Sequence, residues 1–351
     1  MNERLYLDHA ATTPVLPAVR NAMAPAFARW ANPSSQHAEG RAARAALEDA
    51  RERVKAALGW EHELIFTSGA CEALAISLTR STTDACIVSA VEHDAVHRVA
   101  PNAYFLPVDP DGLVARDALF GRLAALGAKQ PLVAIQQVNN ETGVIQPLDV
   151  LAQVVRDAGG ILLSDCAQSA GKIALPDADI IAVSAHKMGG PPGIGALLIR
   201  DFGLIEASGG QEKGYRAGTE NLPAALGFAV ATETNRGWLE RAADLRAHLD
   251  GAIEAAGGQI VARGAPRLAT IASYRMSGKA ASAQLIQFDL AGIAVSAGSA
   301  CSSGTLKSSR VLAALGWNES EANEVIRVSF GPDTSRADIY RFIEAWKRIS
   351  P

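Results

Sequence analysis

Asp179-Ile180-Ile181-Ala182-Val183-Ser184-Ala185-His186-Lys187-Met188-Gly189-Gly190-Pro191-Pro192-Gly193-Ile194-Gly195-Ala196-Leu197-Leu198-Ile199 is the stretch whose reading decides the fold. The apolar run ending at Val183 predicts a buried strand. A lysine, a Gly/Pro-rich turn and a second apolar run follow. The glycines make no Walker A loop, because no Gly-Lys-Ser/Thr closes them. Nor do they make a Rossmann turn, since strand-like Ala196–Ile199 stands where a helix should begin. Two readings of Lys187 stay open: a lysine of a surface loop, or a Schiff-base lysine whose neighbours help hold a phosphate.

Outward from this stretch, short apolar runs alternate with helical patterns. Strands are predicted at Leu64–Phe66, Ala85–Val88, Leu132–Ile135 and Ile161–Leu163, with a helix over Leu148–Ala158. Leu47, Ala50, Val54, Ala57 and Leu58 fall at helical spacing within Glu39–Leu58, with Ser34 or Ser35 as the candidate cap. This alternation implies an α/β fold with a mostly parallel sheet covered on both faces. Ligands of such sheets bind beyond the carboxyl ends of the strands. Leu222–Ala256 reads as one long helical region bent near Gly237. The remainder, from about Leu268 to Ile349, reads as α+β and ends on a helix from about Arg336. The expected division is a large domain over residues 15–238 and a smaller one built from 1–14 and 239–351. No tether separates them, so the two parts are expected to pack together.

Composition excludes several classes. A net charge of -4 gives no general attraction to nucleic acid or anionic lipid. No apolar run approaches the ~20 residues that span a bilayer, and the opening MNERLYLDHAATTP has no secretory apolar core. A cytoplasmic enzyme is the expectation. The four cysteines, Cys71, Cys86, Cys166 and Cys301, lie too far apart for a disulfide framework or a zinc site, so no metal is expected.

Two further segments carry chemistry. Asp165 directly follows the strand at Ile161–Leu163. A carboxylate there can pair with the protonated pyridine nitrogen of pyridoxal phosphate, or merely cap the next turn. Thr67-Ser68-Gly69-Ala70-Cys71-Glu72 follows an apolar run and precedes a helix, a ready cradle for a phosphate.

With these pieces the chain resembles the cysteine desulfurases of the NifS/IscS type, within the class V aminotransferase group of fold-type I pyridoxal-phosphate enzymes. The resemblance runs from Tyr6-Leu7-Asp8-His9-Ala10-Ala11-Thr12-Thr13-Pro14 to about Ile339. It includes Asn32-Pro33-Ser34-Ser35 with His37 and Gly40, Glu92-His93, Val138-Asn139-Asn140-Glu141-Thr142-Gly143, Arg216-Ala217-Gly218-Thr219-Glu220-Asn221 and Ser299-Ala300-Cys301-Ser302-Ser303. It implies a seven-stranded, mainly parallel sheet and a smaller domain carrying Cys301. It further implies that Lys187 binds the cofactor, Asp165 faces the pyridine nitrogen, and Gln168 bonds the ring's phenolic oxygen. His93 would stack on the ring and assist proton transfer. Ser184, His186 and the backbone at Ala70 and Cys71 would grip the phosphate. Thr219 would reach the cofactor of the other subunit of a homodimer. Arg327 would clamp the substrate carboxylate, for which a planar bidentate donor suits, and Asn140 would sit by the cofactor and help position the substrate.

Cys301 separates this family's members. It lies in Ser296–Gly304, a run of small residues with little to pack. The favoured reading is a loop thiolate that takes sulfur from L-cysteine as a persulfide and hands it to an acceptor, such as an Fe–S scaffold or a tRNA-thiolation protein. A selenocysteine lyase or a class V aminotransferase is the alternative, although an aminotransferase has no use for Cys301. A non-catalytic scaffold would be expected to lose Lys187, Asp165 or Arg327, and none is lost. Two departures stand out: Cys71 where the family commonly has Thr, and Cys166 after Asp165, read as filler close to the cofactor. The tail by which longer members dock a scaffold does not follow Arg348-Ile349-Ser350-Pro351, so docking of that kind is not implied.

Overall fold

The computed structural model describes residues 4–28, 31–234, 236–298 and 309–350. After a short first strand, β1 (Leu5–Tyr6), the main sheet is built from β2 (Glu63–Thr67), β3 (Ala85–Ser89), β4 (Tyr104–Leu106), β5 (Pro131–Ala134), β6 (Ile161–Asp165), β7 (Ile180–Ser184) and β8 (Gly195–Ile199). They lie in the order β2-β8-β7-β6-β5-β3-β4. The five strands from β7 to β4 run parallel. Strand β8 is antiparallel to both β7 and β2. The reversal follows from Gly189–Gly193, a tight turn that returns the chain with no crossover helix.

Strand period explains the layers. Ile181 and Val183 point to one face, among Leu47, Val54 and Phe228 of helices Ala38–Leu58 and Leu222–Glu233. Ile180 and Ala182 point to the other, against Ala73 and Leu74 of helix Ala70–Arg80. Each fully buried Val, Leu or Ile contributes about 1.5–3 kcal/mol relative to exposure.

Two sequence expectations are corrected. The cap of helix Ala38–Leu58 is His37, whose ring accepts from the Gly40 amide at 3.2 Å. Ser34 and Ser35 lie outside the helix, in a turn held by the Asn32 carbonyl and side chain. The Leu222–Ala256 region is two helices, Leu222–Glu233 and Trp238–Ala255, broken where Thr234 turns extended. The first packs on the main sheet; the second, through Leu245, Leu249 and Ile253, packs in a separate core.

That second core belongs to a four-stranded antiparallel sheet of β9 (Gln259–Ile260), β10 (Ile271–Arg275), β12 (Ser296–Ala297) and β13 (Val325–Ser329), in the order β12-β13-β10-β9. Strand β11 (Ile293–Ala294) pairs in parallel with β1, which brings Leu5 and Leu7 into this core beside Phe342 and Trp346. The closing helix, Arg336–Ile349, starts on a capping box of Ser335 and Asp338. Among the described residues no helix is long and apolar enough to cross a membrane.

Beneath the main sheet Arg51 and Glu212, both nearly inaccessible to solvent, form an ion pair at 2.7 Å. Arg51 also donates to the Leu64 carbonyl, and Glu212 accepts from the Phe66 amide, so both ends are tied to β2. Removing one partner leaves a buried charge uncompensated. Glu212→Ala is expected to lower stability by about 3–5 kcal/mol, read from the urea midpoint; an unchanged midpoint would refute the role given to the pair.

Candidate active site

A cavity of about 430 Å³ opens where the carboxyl ends of the parallel strands meet the second sheet. Its floor is supplied by strand ends. Asp165 ends β6 and Ser184 ends β7, while Ser68–Cys71 follow β2. Residues there leave the sheet just as hydrogen-bonded backbone gives way to turns, which lets their side chains face a ligand.

At the turn after β2, Gly69 has φ +154° and serves as N-cap of helix Ala70–Arg80. The close neighbour is Gly195, where a side chain would collide with the Val183 carbonyl and the Gly69 backbone. The space saved is a backbone cradle at the N-terminus of an 11-residue helix, with Ser184, His186 and Cys71 around it. His186 shares a hydrogen bond of 3.1 Å with the Thr12 hydroxyl. Burial, aided by the charge of Lys187, pushes its pKa down to about 4, so the ring is neutral at pH 7.

Lys187 lies on a single helical turn, Ala185–Met188, after β7. Its Nζ donates to the carbonyls of Ala10 at 2.5 Å and Ala11 at 2.9 Å. The amide of Gln168 donates to the same Ala10 carbonyl at 2.9 Å, while its buried Oε1 lacks a partner among the described residues. Burial raises the pKa of Asp165, and the charges of His93 and Lys187 oppose that rise. His93 caps helix Asp94–Val99, and its Nδ1 accepts from the Ala95 amide at 3.2 Å. A neutral His93 therefore carries its proton on Nε2.

Arg327 enters from the middle of β13, with 2% of its side chain accessible. Its guanidinium donates to the Asn140 carbonyl at 3.0 Å and pairs with Asp8 at 2.8 Å. Its buried Nε has no partner among the described residues. Asn140 itself lines the cavity.

The structure thus gathers Lys187, Asp165, Gln168, His93, Ser184, His186, Ala70, Cys71, Asn140 and Arg327 around one cavity. Thr219 is exposed and is not part of this lining. Cys301 lies outside the described residues. Cys166 is buried filler near Gln137 and Ser164, as expected, but it does not line the cavity. Burial pushes its thiol up to about 12.

Sequence reading missed several contributors. Glu92 sits buried behind Asp165, accepting from Ser89 and from the Gln136 amide, both at 2.8 Å. Burial pushes its pKa up to about 8, against those hydrogen bonds, and the charge of Asp165 adds to the rise. Asp8 and the carbonyls of Ala10 and Ala11 come from the N-terminal segment. The repeated small residues of Ala10-Ala11-Thr12-Thr13 were the available signal, but a linear pattern does not say which distant lysine they will meet.

Known proteins share this architecture and sequence. Residues 5–342 match the family described as aminotransferase class-V. A cysteine desulfurase of Gluconacetobacter diazotrophicus is 35% identical, over 98% of this chain and 93% of its own. An IscS-like cysteine desulfurase of Mycobacterium tuberculosis is also 35% identical, over 97% of this chain and 94% of its own. Among solved structures, a NifS-like protein from Rickettsia africae superposes with a TM-score of 0.90 at 31% identity, covering 99% of both chains. A protein described as SspA in complex with cysteine gives 0.81 at 27% identity, over 94% of this chain and 100% of that one. The chain belongs to the class-V aminotransferase family, among the NifS/IscS-type cysteine desulfurases.

Proposed function

We propose that this protein is a pyridoxal-phosphate-dependent cysteine desulfurase, which takes sulfur from L-cysteine, releases L-alanine and leaves a persulfide on Cys301. The observation that carries this reading is the convergence of Lys187, Asp165, Gln168, His93 and Arg327 on one cavity. The residues fit the cofactor. The Gly69 cradle and the neutral His186 suit a phosphate, the unpartnered Gln168 Oε1 leaves a polar atom for a ring substituent, and Asp165 suits a cationic ring nitrogen. Bound there, pyridoxal phosphate supplies an electron sink for charge developing at the substrate α-carbon.

The chain's own groups do the rest. Asp165 holds the ring proton, since a buried carboxylate is best stabilised by a facing cation. Lys187 anchors the cofactor and, with His93, moves the α-proton; the Ala10 and Ala11 carbonyls orient its Nζ. Arg327, steadied by Asp8 and Asn140, takes the substrate carboxylate. The Cys301 thiolate then attacks the substrate sulfur. The Cβ–S bond breaks with its electron pair left on carbon, which a proton completes as the methyl group of alanine. Cys301 retains the sulfur as a persulfide for an acceptor such as an Fe–S scaffold or a tRNA-thiolation protein.

The same reading includes a cytoplasmic homodimer in which Thr219 completes the partner's site; its exposure outside the chain's own cavity supports this. It also divides the chain into a cofactor domain, residues 15–238, and a small domain of 1–14 and 239–351, in keeping with the separate cores.

Purified protein is expected to be yellow and to release alanine and, with a thiol reductant, sulfide in equal amounts from L-cysteine. Cys301→Ala keeps the colour and loses sulfide release. A yellow wild type that ignores cysteine but transaminates or cleaves selenocysteine sinks the reading. Asp165→Asn is expected to slow turnover by about a hundredfold or more, because the ring loses its countercharge; turnover within a few-fold of wild type would remove Asp165 from its role.

A further inference from the structure

Arg98 lines the active-site cavity together with Cys71 and Leu74 of helix Ala70–Arg80. It lies near the end of helix Asp94–Val99, whose Ala95 and Val96 share one apolar cluster with Ala70, Ala73 and Leu74. The two short helices therefore pack together, with Arg98 on the cavity side of their junction. Its side chain is 65% exposed, and its partner is Asp94, one turn earlier, at 3.4 Å. An exposed pair of this kind contributes little, and surface side chains change rotamer within nanoseconds. Little therefore holds the guanidinium to Asp94.

The cradle beside it offers hydrogen-bond donors but no full positive charge. Its groups are the backbone at Gly69–Cys71, the Ser184 hydroxyl, the weakly donating Cys71 thiol and His186, which burial keeps neutral at pH 7. A phosphate monoester brings about 1.5–2 negative charges at that pH. The other cations are committed. Arg216 pairs with Glu72 at 2.9 Å, and Arg327, from the second sheet, is bonded to Asp8 and Asn140. Lys187 is assigned to the cofactor ring, and Thr219 of the proposed dimer is neutral. Among the described residues that line the cavity, Arg98 is the cation still available. That the cavity takes a ligand is marked independently by Gln168, 4% exposed, whose Oε1 has no partner among the described residues.

We propose that Arg98 leaves Asp94 for the cradle and clamps the phosphate of the cofactor, so that the site selects the phosphorylated form by charge. This rests on the pyridoxal-phosphate reading above. A guanidinium suits the task, because its planar fork meets two phosphate oxygens at once.

The test reads cofactor binding rather than turnover. The full chain is stripped of cofactor, and the dissociation constants of pyridoxal phosphate and of pyridoxal, which lacks the phosphate, are measured by tryptophan fluorescence. In Arg98→Ala the constant for pyridoxal phosphate is expected to rise about tenfold or more, while that for pyridoxal changes by less than about twofold. Inorganic phosphate, added as a competitor of pyridoxal phosphate, competes less well in the variant than in wild type. Arg98→Lys keeps the charge without the fork and recovers part of the affinity. Added salt weakens pyridoxal phosphate binding more in wild type than in Arg98→Ala, because a partly exposed charge is screened. Arg98 is largely exposed, so the urea midpoint of the variant stays near that of wild type. An unchanged constant for pyridoxal phosphate overturns the proposal. So does an equal loss for both compounds, which would make Arg98 a wall of the cavity and not a phosphate ligand. A wild type that binds neither compound instead overturns the cofactor reading.

Discussion

The guanidinium of Arg327 ties together stretches of chain that are remote in sequence. It lies in β13, which pairs with β10 and β12, and it bonds to Asp8 at the N-terminal segment and to Asn140 beyond β5. Arg is the one side chain with enough fixed donors to satisfy all of these at once. Because it is almost wholly buried, loss of either partner would leave charge uncompensated in a low-dielectric site. The seam between the two sheets is therefore held by the same group that is proposed to receive the substrate carboxylate, which would keep substrate binding and the packing of the two cores in one network.

The cavity is as much a product of suppressed charge as of placed charge. His186 is held neutral by burial, and Glu92 is driven toward its protonated form near neutral pH. Among the described residues Lys187, Arg98 and Arg327 line the cavity with the Asp165 carboxylate, and Asp8 already answers Arg327. Burial of Asp165 and Arg327 means that their fields are weakly screened. A catalyst that must stabilise charge at one carbon gains from that arrangement, since its dipoles are fixed before the reaction begins.

Some of this was readable in the residues. The apolar runs at Ile161–Leu163 and Ile180–Val183 announced strands, because a strand buried on both faces has no polar period to obscure it. The Gly/Pro turn after Lys187 led directly into a second apolar run, with no room for a crossover helix, while the antiparallel pairing of that run appeared only in the fold. Errors fell where local signals compete. His37 caps its helix because Ser34 and Ser35 are already committed to the Asn32 turn. The break near Thr234 marks a handover between two cores, and both of its flanks carry good helix formers. Cys166 is the filler expected, yet although it adjoins Asp165 in the chain it faces the other side of the sheet, as strand alternation requires.

By itself the sequence determined the α/β class and the strands that end at Asp165 and Ser184, and it put Lys187, the Thr67–Glu72 turn and Cys301 forward as candidates. Each of these is a local matter of residue type, spacing and the element just before it. Only the tertiary structure decided that the Ala10 and Ala11 carbonyls orient Lys187 and that Asp8 steadies Arg327. Those contacts join residues far apart in the chain, and they exist because burial leaves a polar group only the partners that packing brings to it.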